Sequence, residues 1–286
     1  MKPAPFEYVR PSSLDEAIAA LSEGGFSAKA LAGGQSLIPA MSFRLAQPAL
    51  LVDLGQLDEL RGIRERDDGG LMIGAMTTHR DVERSELVAK HAPLLTEVMP
   101  WIAHAQIRNR GTLGGSLAHA DPAAELPSIM QVLGAVMHIQ GLDGERSIPV
   151  DDFYLGLFTT ALKPDELLTA IEIPPVAAGA RSAFEEIARR HGDFALAGVA
   201  VVIELGESDA LESARISLLS VGDGPVLAER AMSGLVGQPL SDETIRAAAQ
   251  TTAEDLDPPG DIHASPEFRR HLAEVLTARA LQRVRV

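Results

Sequence analysis

Cysteine is absent from the whole 286-residue chain. This absence excludes disulfides, thiolate chemistry and cysteine-ligated zinc or iron–sulfur clusters within the chain, because each of them requires sulfur ligands. Any metal redox centre that works with this chain must therefore lie on a partner.

Basic charge is also scarce. The chain has 25 lysines and arginines against 40 aspartates and glutamates, which gives a net charge of −15, and four of the basic residues are lysines. General binding to nucleic acid or to anionic membranes needs positive charge on the protein. The composition therefore opposes both kinds of partner.

Long apolar runs are missing as well. The most apolar stretch near the middle, residues 126–139, is interrupted by Pro127, Gln131 and His138 and is shorter than the roughly 20 residues that span a bilayer. Residues 1–8 lack the charged-then-apolar layout of a secretion signal. We therefore expect a cytoplasmic protein without a membrane-spanning segment.

Two short glycine-rich stretches stand out in what the chain does contain: AGGQS at 32–36 and TLGGS at 112–116. Consecutive N–H groups with little side-chain bulk suit a diphosphate, although a single glycine pair after a strand is more often a tight turn. Neither stretch fits G-x-G-x-x-G or G-K-[ST], so the common NAD and ATP signatures are absent. Two such stretches suggest one large dinucleotide bound between them.

The length and the hydrophobic pattern predict two domains. Residues 1–176 form the first domain, in lobes of about 1–55 and 56–176, and residues 177–286 form the second. In the first lobe we expect a helix after the cap at Ser13, strands at 28–31 and 50–53, and a helix at 36–45.

The second lobe is expected to hold a hairpin, three helices and three further strands. These elements lie at 60–73, then at 78–88, 92–103 and 123–133, and then at 135–140, 145–148 and 166–173. The second glycine stretch is expected to be a loop between two of these helices. The second domain is expected to contain antiparallel strands at 183–190, 196–205 and 214–221, a helix capped by Ser241 and a last helix that begins at Pro266.

Four ordered motifs extend the glycine stretches into a specific resemblance. They are AGGQSLIP at 32–39, TLGGSLAHADPAAELP at 112–127, DELLTAIEIP at 165–174 and RRHGDFA at 189–195. Together they resemble the FAD-binding medium subunits of the molybdenum hydroxylase family, the carbon monoxide dehydrogenase and xanthine dehydrogenase type. The resemblance implies an α+β fold: a two-lobed FAD-binding domain of the vanillyl-alcohol-oxidase (PCMH) type, then a carbon monoxide dehydrogenase flavoprotein C-terminal-like domain with a small antiparallel sheet and helices.

The resemblance also implies which residues bind FAD, and it implies no catalytic residue and no metal ligand in this chain. The implied cofactor-binding residues are Lys29, Ala30, Leu31, Ala32, Gly33, Gly34, Gln35, Ser36, Leu37, Ile102, Thr112, Leu113, Gly114, Gly115, Ser116, Asp121, Glu125, Leu167 and Phe194. Phe194 matches the region where an aromatic ring covers the isoalloxazine. Glu185 departs from the family, since it stands where xanthine dehydrogenases carry a lysine that interacts with the cofactor.

The irregular spacing of His119, Asp121 and Glu125 across a proline favours a loop or FAD contact over a metal site. In the family, FAD in the medium subunit takes electrons from the [2Fe-2S] clusters of a small subunit and passes them to an external acceptor. A large molybdopterin-binding subunit oxidises the substrate, and the resemblance implies a dimer of heterotrimers. Two alternatives stay open: a free-standing flavin-dependent oxidase or reductase, and a non-catalytic assembly subunit that kept the fold.

Overall fold

The structure is a computed structural model that describes residues 2–206 and 210–285. The helices are α1 Leu14–Gly24, α2 Leu37–Ser42, α3 His79–Arg84, α4 Glu86–His91, α5 Pro93–Val98, α6 Ala105–Arg108, α7 Leu113–His119, α8 Glu125–Val132, α9 Glu229–Leu235, α10 Asp242–Glu254 and α11 Pro266–Arg285. The strands are β1 Glu7–Val9, β2 Ala28–Leu31, β3 Leu50–Asp53, β4 Ile63–Glu65, β5 Leu71–Gly74, β6 Val136–Gly141, β7 Gly144–Pro149, β8 Tyr154–Gly156, β9 Thr159–Thr160, β10 Leu167–Ile173, β11 Arg181–Ala188, β12 Ala195–Leu205, β13 Leu211–Leu219 and β14 Val226–Leu227.

The first lobe is a parallel sheet in the order β1-β3-β2 with α1 packed against it. Helix α1 begins where predicted, because the Ser13 side chain accepts a hydrogen bond from the main chain of its first turn, and it ends at Gly24, just before Gly25, whose φ is +51°. The predicted strands β2 and β3 are present. Strand β1 was not predicted, because its three residues are all exposed and carry no pattern of alternating burial.

The second lobe contains an antiparallel sheet in the order β4-β5-β10-β6-β7. The predicted hairpin and the three later strands are confirmed. The single helix expected at 78–88 is wrong: Thr78 caps α3 and Ser85 caps α4, so the chain starts a new helix at Ser85. The helix expected at 92–103 is shorter than predicted: α5 covers Pro93–Val98, and a 3-10 turn at Met99–Trp101 follows it.

The C-terminal domain is an antiparallel sheet in the order β11-β12-β13-β14, with helices α9 to α11 against one face. The three predicted strands and the last two predicted helices are present. Ser241 caps α10 in a reciprocal capping box with Thr244. No helix of the described residues is long and apolar enough to cross a membrane.

Helix α8 joins the core of the second lobe to the other face of this sheet. All eight of its residues are buried, and it packs against β12 and β13. At the contact the Ser217 hydroxyl donates to Oε1 of Gln131 at 2.6 Å, and the N–H of Ser220 donates to the carbonyl of Pro122 at 2.8 Å. Arg215 donates to the carbonyl of Gln131 and pairs with Asp151 at 2.8 Å. Polar bonds thus fix α8 to the sheet within an apolar boundary.

The Ser217–Gln131 bond gives a direct test of this boundary. The variant Ser217→Ala should lower the free energy of unfolding by about 1–3 kcal/mol, because it leaves a buried amide oxygen without its donor. Denaturant unfolding measures the change. Ser213→Ala, on the same strand at a half-buried position, is the control and should leave stability nearly unchanged; equal losses in the two variants would contradict this role for Ser217.

Candidate functional site

The first glycine stretch is a loop between the end of β2 and the start of α2. Gly34 has a φ of +73°, a conformation that favours glycine. Within the described residues, the N–H groups of residues 33–36 donate no hydrogen bond, while the carbonyl of Gly34 accepts one from Ile38. Successive N–H groups without acceptors form a concave donor surface that suits a phosphate. The first stretch therefore has the form expected of an anion cradle.

The second stretch differs from the expectation. Residues 113–116 are not a loop but the first turn of α7, which Thr112 caps. Their N–H groups are all used inside the chain: they donate to main-chain oxygens of Ala75, Thr77 and Thr112 and to the hydroxyl of Thr112, at 2.9–3.1 Å. The prediction that both stretches offer free N–H groups is therefore wrong for the second one.

The glycines of the two stretches bring the lobes into main-chain contact. A Cβ on Gly33 would overlap the carbonyl oxygen of Arg110, and a Cβ on Gly115 would lie 3.1 Å from the Cβ of Ala32. Inside the second lobe, a Cβ on Gly114 would overlap the side chain of Ala75. These glycines serve close packing as much as access to a ligand. The N–H cradle is thereby placed directly beside the start of α7.

A buried histidine holds this start of α7 in place, and no sequence pattern had indicated it. His79 Nε2 lies 3.0 Å from the carbonyl oxygen of Thr112, and the His79 N–H donates to the carbonyl of Gly111 at 2.9 Å. Burial lowers the pKa of His79 to about 4, so the ring is neutral at physiological pH and Nε2–H is the donor. His79 is a positioning residue for α7.

Charged and aromatic side chains gather at the other end of α7. The ring of His119 lies 5.2 Å from that of Phe158 in the β8–β9 turn. Burial lowers the pKa of His119, nearby Asp121 acts in the opposite direction, and Lys29 of β2 adds to the lowering. Lys29, His119 and Asp121 are thus close enough to interact, which joins the end of β2 to the segment after α7.

Two buried acids lie where the second lobe meets the C-terminal sheet. Glu125, the first residue of α8, and Glu186, on β11, are each 8% exposed. Burial raises the pKa of Glu125 to about 7, against a lowering by its own main-chain hydrogen bond, and Asp121 adds to the rise. Burial raises the pKa of Glu186 to about 8, and Glu125 adds to that rise. Glu125 was predicted as a site residue; Glu186 was not.

The remaining predicted residues fall into three groups. Lys29 to Leu37 flank or form the cradle, and the Gln35 side chain donates back to the carbonyl of Gly33 at 3.0 Å. The side chains of Ile102 and Leu167 are buried in the apolar cores, so little of either can face a cofactor. Phe194 lies 70% exposed just before β12, where a ring can cover a bound group.

Glu185, the departure from the family pattern, points away from Glu186 because neighbouring residues on a strand face opposite sides. Its carboxylate pairs with Arg283 of α11 at 2.8 Å, and Arg283 also reaches Glu97 of α5 at 2.7 Å. Both carboxylates raise the pKa of Arg283. Glu185 therefore fastens α11 to the sheet.

Two family models cover nearly all of the chain. The model described as the FAD binding domain in molybdopterin dehydrogenase matches residues 4–176, and the CO dehydrogenase flavoprotein C-terminal domain matches residues 182–284. The chain belongs to the FAD-binding medium subunits of the molybdenum hydroxylases. Its cofactor is FAD, and the α+β fold and the oxidoreductase class predicted from the sequence are confirmed.

Individual members of the family match this medium subunit over its full length. Subunit alpha of the 6-hydroxypseudooxynicotine dehydrogenase complex of Paenarthrobacter nicotinovorans is 41% identical over 100% of this chain and 97% of that protein. The carbon monoxide dehydrogenase medium chain of Hydrogenophaga pseudoflava is 38% identical over 98% and 97% of the two chains. The solved quinoline 2-oxidoreductase from Pseudomonas putida 86 is 41% identical with a TM-score of 0.94, covering 100% and 98%.

The contact at Gly33 leads to a prediction on FAD binding. Gly33→Ala should sharply reduce the FAD bound per chain, because the new Cβ forces the cradle away from Arg110. Absorbance of the purified chain measures FAD occupancy. Gly234→Ala in α9, where a Cβ meets nothing within 4 Å, is the matched control and should keep FAD. Full occupancy in Gly33→Ala would show that this contact does not shape the site.

Proposed function

We propose that this subunit takes electrons from the [2Fe-2S] clusters of a small partner subunit and delivers them through FAD to an external acceptor. A large molybdopterin-binding subunit would oxidise the substrate, in a dimer of heterotrimers located in the cytoplasm. The complete absence of cysteine supports this division of labour, since clusters with cysteine ligands must lie on another chain. The relative from Paenarthrobacter is itself named as one subunit of a complex.

The observation that carries the proposal is the N–H cradle at residues 33–36, pressed against the start of α7 between the two lobes. The flavin supplies the redox chemistry, and the chain supplies binding and orientation. We assign the diphosphate to this cradle, where the hydroxyls of Ser36 and Ser116 donate to it. The positive charge of Lys29 partly neutralises the negative charge of the phosphates. The carboxylate of Asp121 accepts hydrogen bonds from ribityl hydroxyls.

We divide the chain into an FAD-binding domain over residues 1–176 and a C-terminal domain over 177–286. The proposed site draws on both, because Phe194 belongs to the second domain. The other proposed FAD contacts are the flanking residues of the cradle and the first turn of α7, with Ile102 and Leu167 touching the cofactor only through the small exposed part of each side chain.

The substrate of the complex is proposed to be set outside this chain. The three relatives above are named for 6-hydroxypseudooxynicotine, carbon monoxide and quinoline, although each shares about two fifths of this sequence. For the acceptor, Glu185 gives one guide. A carboxylate engaged by Arg283 cannot replace a cationic donor at the cofactor, so we expect weaker use of NAD than in xanthine dehydrogenases.

The experiment is purification of the chain from its native host with whatever binds to it. The complex should contain a molybdenum subunit and a cysteine-rich subunit, and its substrate should bleach the flavin absorbance under anaerobic conditions. The isolated FAD-loaded chain should not be bleached by the same substrate. A chain that purifies alone and oxidises a small substrate without molybdenum or iron would instead be a free-standing flavoenzyme, and a chain that refuses FAD would be an assembly subunit.

A further inference from the structure

Ser220 follows directly after β13 in a strained backbone conformation. Its φ of +62° lies in the left-handed region, and the residue is buried, with 6% of its surface exposed. A residue other than glycine keeps such a conformation only where the surrounding structure holds it there, and residues of this kind concentrate at functional sites. The contacts of Ser220 show what holds it and what it holds in turn.

Each polar group of Ser220 bonds to a different segment of the chain. Its N–H donates to the carbonyl of Pro122 at 2.8 Å, and its hydroxyl donates to the carbonyl of Ala195 at 2.7 Å. Its own carbonyl accepts a hydrogen bond from the guanidinium of Arg269 in α11 at 3.1 Å. Ser220 therefore joins the segment before α8, the start of β12 and the last helix.

The first of these segments carries Asp121, which Pro122 follows directly. Oδ1 of Asp121 accepts from the N–H of Ala123 at 2.9 Å, and the carbonyl of Asp121 accepts from the N–H of Ala124 at 3.0 Å. These two bonds make a tight turn in which the carboxylate has a fixed direction. The bond from Ser220 holds this turn against the C-terminal sheet, so it also sets the place of the carboxylate.

The second segment carries Phe194, which directly precedes Ala195 and is 70% exposed. A side chain with so little packing of its own takes its place from the main chain that bears it. That main chain is held twice: the carbonyl of Ala195 accepts from Ser220, and the carbonyl of Leu196 accepts from the buried guanidinium of Arg269 at 2.5 Å. The position of the Phe194 ring therefore depends on these two bonds.

The loop before Phe194 also touches the first domain. Gly192 has a φ of +85°, and a Cβ on it would overlap the ring of His104, just before α6. The ring of His191 stacks on that of Trp101, with the centroids 6.4 Å apart. Phe194 therefore lies beside the boundary between the two proposed domains, within reach of a group bound by the first.

We propose that Ser220 is a positioning residue of the FAD site. It fixes Asp121 of the first domain and Phe194 of the second domain relative to each other, so that the carboxylate and the aromatic ring close on the same bound FAD. This inference rests on the proposed function of the chain as an FAD carrier and on the FAD contacts proposed there. Ser220 itself touches no cofactor and acts through the two segments that it joins.

The test is the FAD affinity of the full chain, stripped of FAD and titrated with it. Ser220→Ala removes the bond to Ala195 and keeps the main-chain bonds, so the dissociation constant should rise about fivefold, the effect of one lost hydrogen bond. This rise should disappear in a Phe194→Ala background, where the hydroxyl has no ring left to position. Ser213→Ala, at a half-buried position on β13, is the control and should bind FAD as the wild type does.

A spectroscopic readout reports on the ring itself. Tryptophan quenches flavin emission by giving an electron to the excited flavin when the two rings are in contact. Phe194→Trp should therefore quench the emission of bound FAD. Adding Ser220→Ala should raise the unquenched fraction of that emission about fivefold, because the ring leaves the flavin more often. Adding Ser213→Ala should leave the quenching unchanged.

The outcomes separate the inference from the proposed function. A wild-type chain that binds no FAD overturns the proposed function. Where the wild type binds FAD, three results overturn the role of Ser220 and leave the proposed function standing: an unchanged affinity in Ser220→Ala, an unchanged emission when it is added to Phe194→Trp, or an equal loss of affinity with and without Phe194. If Ser220→Ala does not fold, Ser220→Gly takes its place, since glycine adopts a φ of +62° freely and also lacks the hydroxyl.

Discussion

The main-chain contact between Gly33 and Arg110 is the constraint on which the rest of the site depends. No side chain fits between the cradle and the segment before α7, so the two lobes meet at backbone distance. The first stretch, whose N–H groups donate no hydrogen bond within the described residues, consequently lies beside the start of a helix whose own N–H groups are already satisfied. The first stretch is available to bind a ligand, and the second stretch holds the first in place.

The sequence was sufficient for the elements that carry their own pattern. Strands β2 and β3, the later antiparallel strands and the capped helix α10 follow from burial periodicity and capping residues. The form of residues 113–116 did not follow, because the acceptors that make them a helix start, Ala75 and Thr77, lie almost forty residues earlier in the chain. A glycine pair written next to a serine looks the same whether it closes a loop or opens a helix.

The two adjacent glutamates of β11 show a different limit. The alternation of side chains along a strand places Glu185 and Glu186 on opposite faces of the sheet. Both faces are covered, one by α11 and the other by the core of the second lobe. The sequence motif singled out Glu185, which stands where xanthine dehydrogenases carry a lysine. The structure gives Glu185 an arginine partner, whereas Oε2 of Glu186 has no hydrogen-bond partner among the residues that the structure describes. The two glutamates differ only in which layer of the protein covers their face of the sheet.

The complete burial of α8 makes the packing of each domain depend on the other. Its residues fill the core of the second lobe, to which it belongs, and also cover the C-terminal sheet. A break in the chain near residue 178 would cut the linker between the domains and leave the packing of α8 intact. We therefore expect the two pieces to stay associated through this helix. Neither domain therefore keeps its full buried core when it is separated from the other. A gene fusion or rearrangement that carries one domain alone would expose α8 or the sheet face that α8 covers.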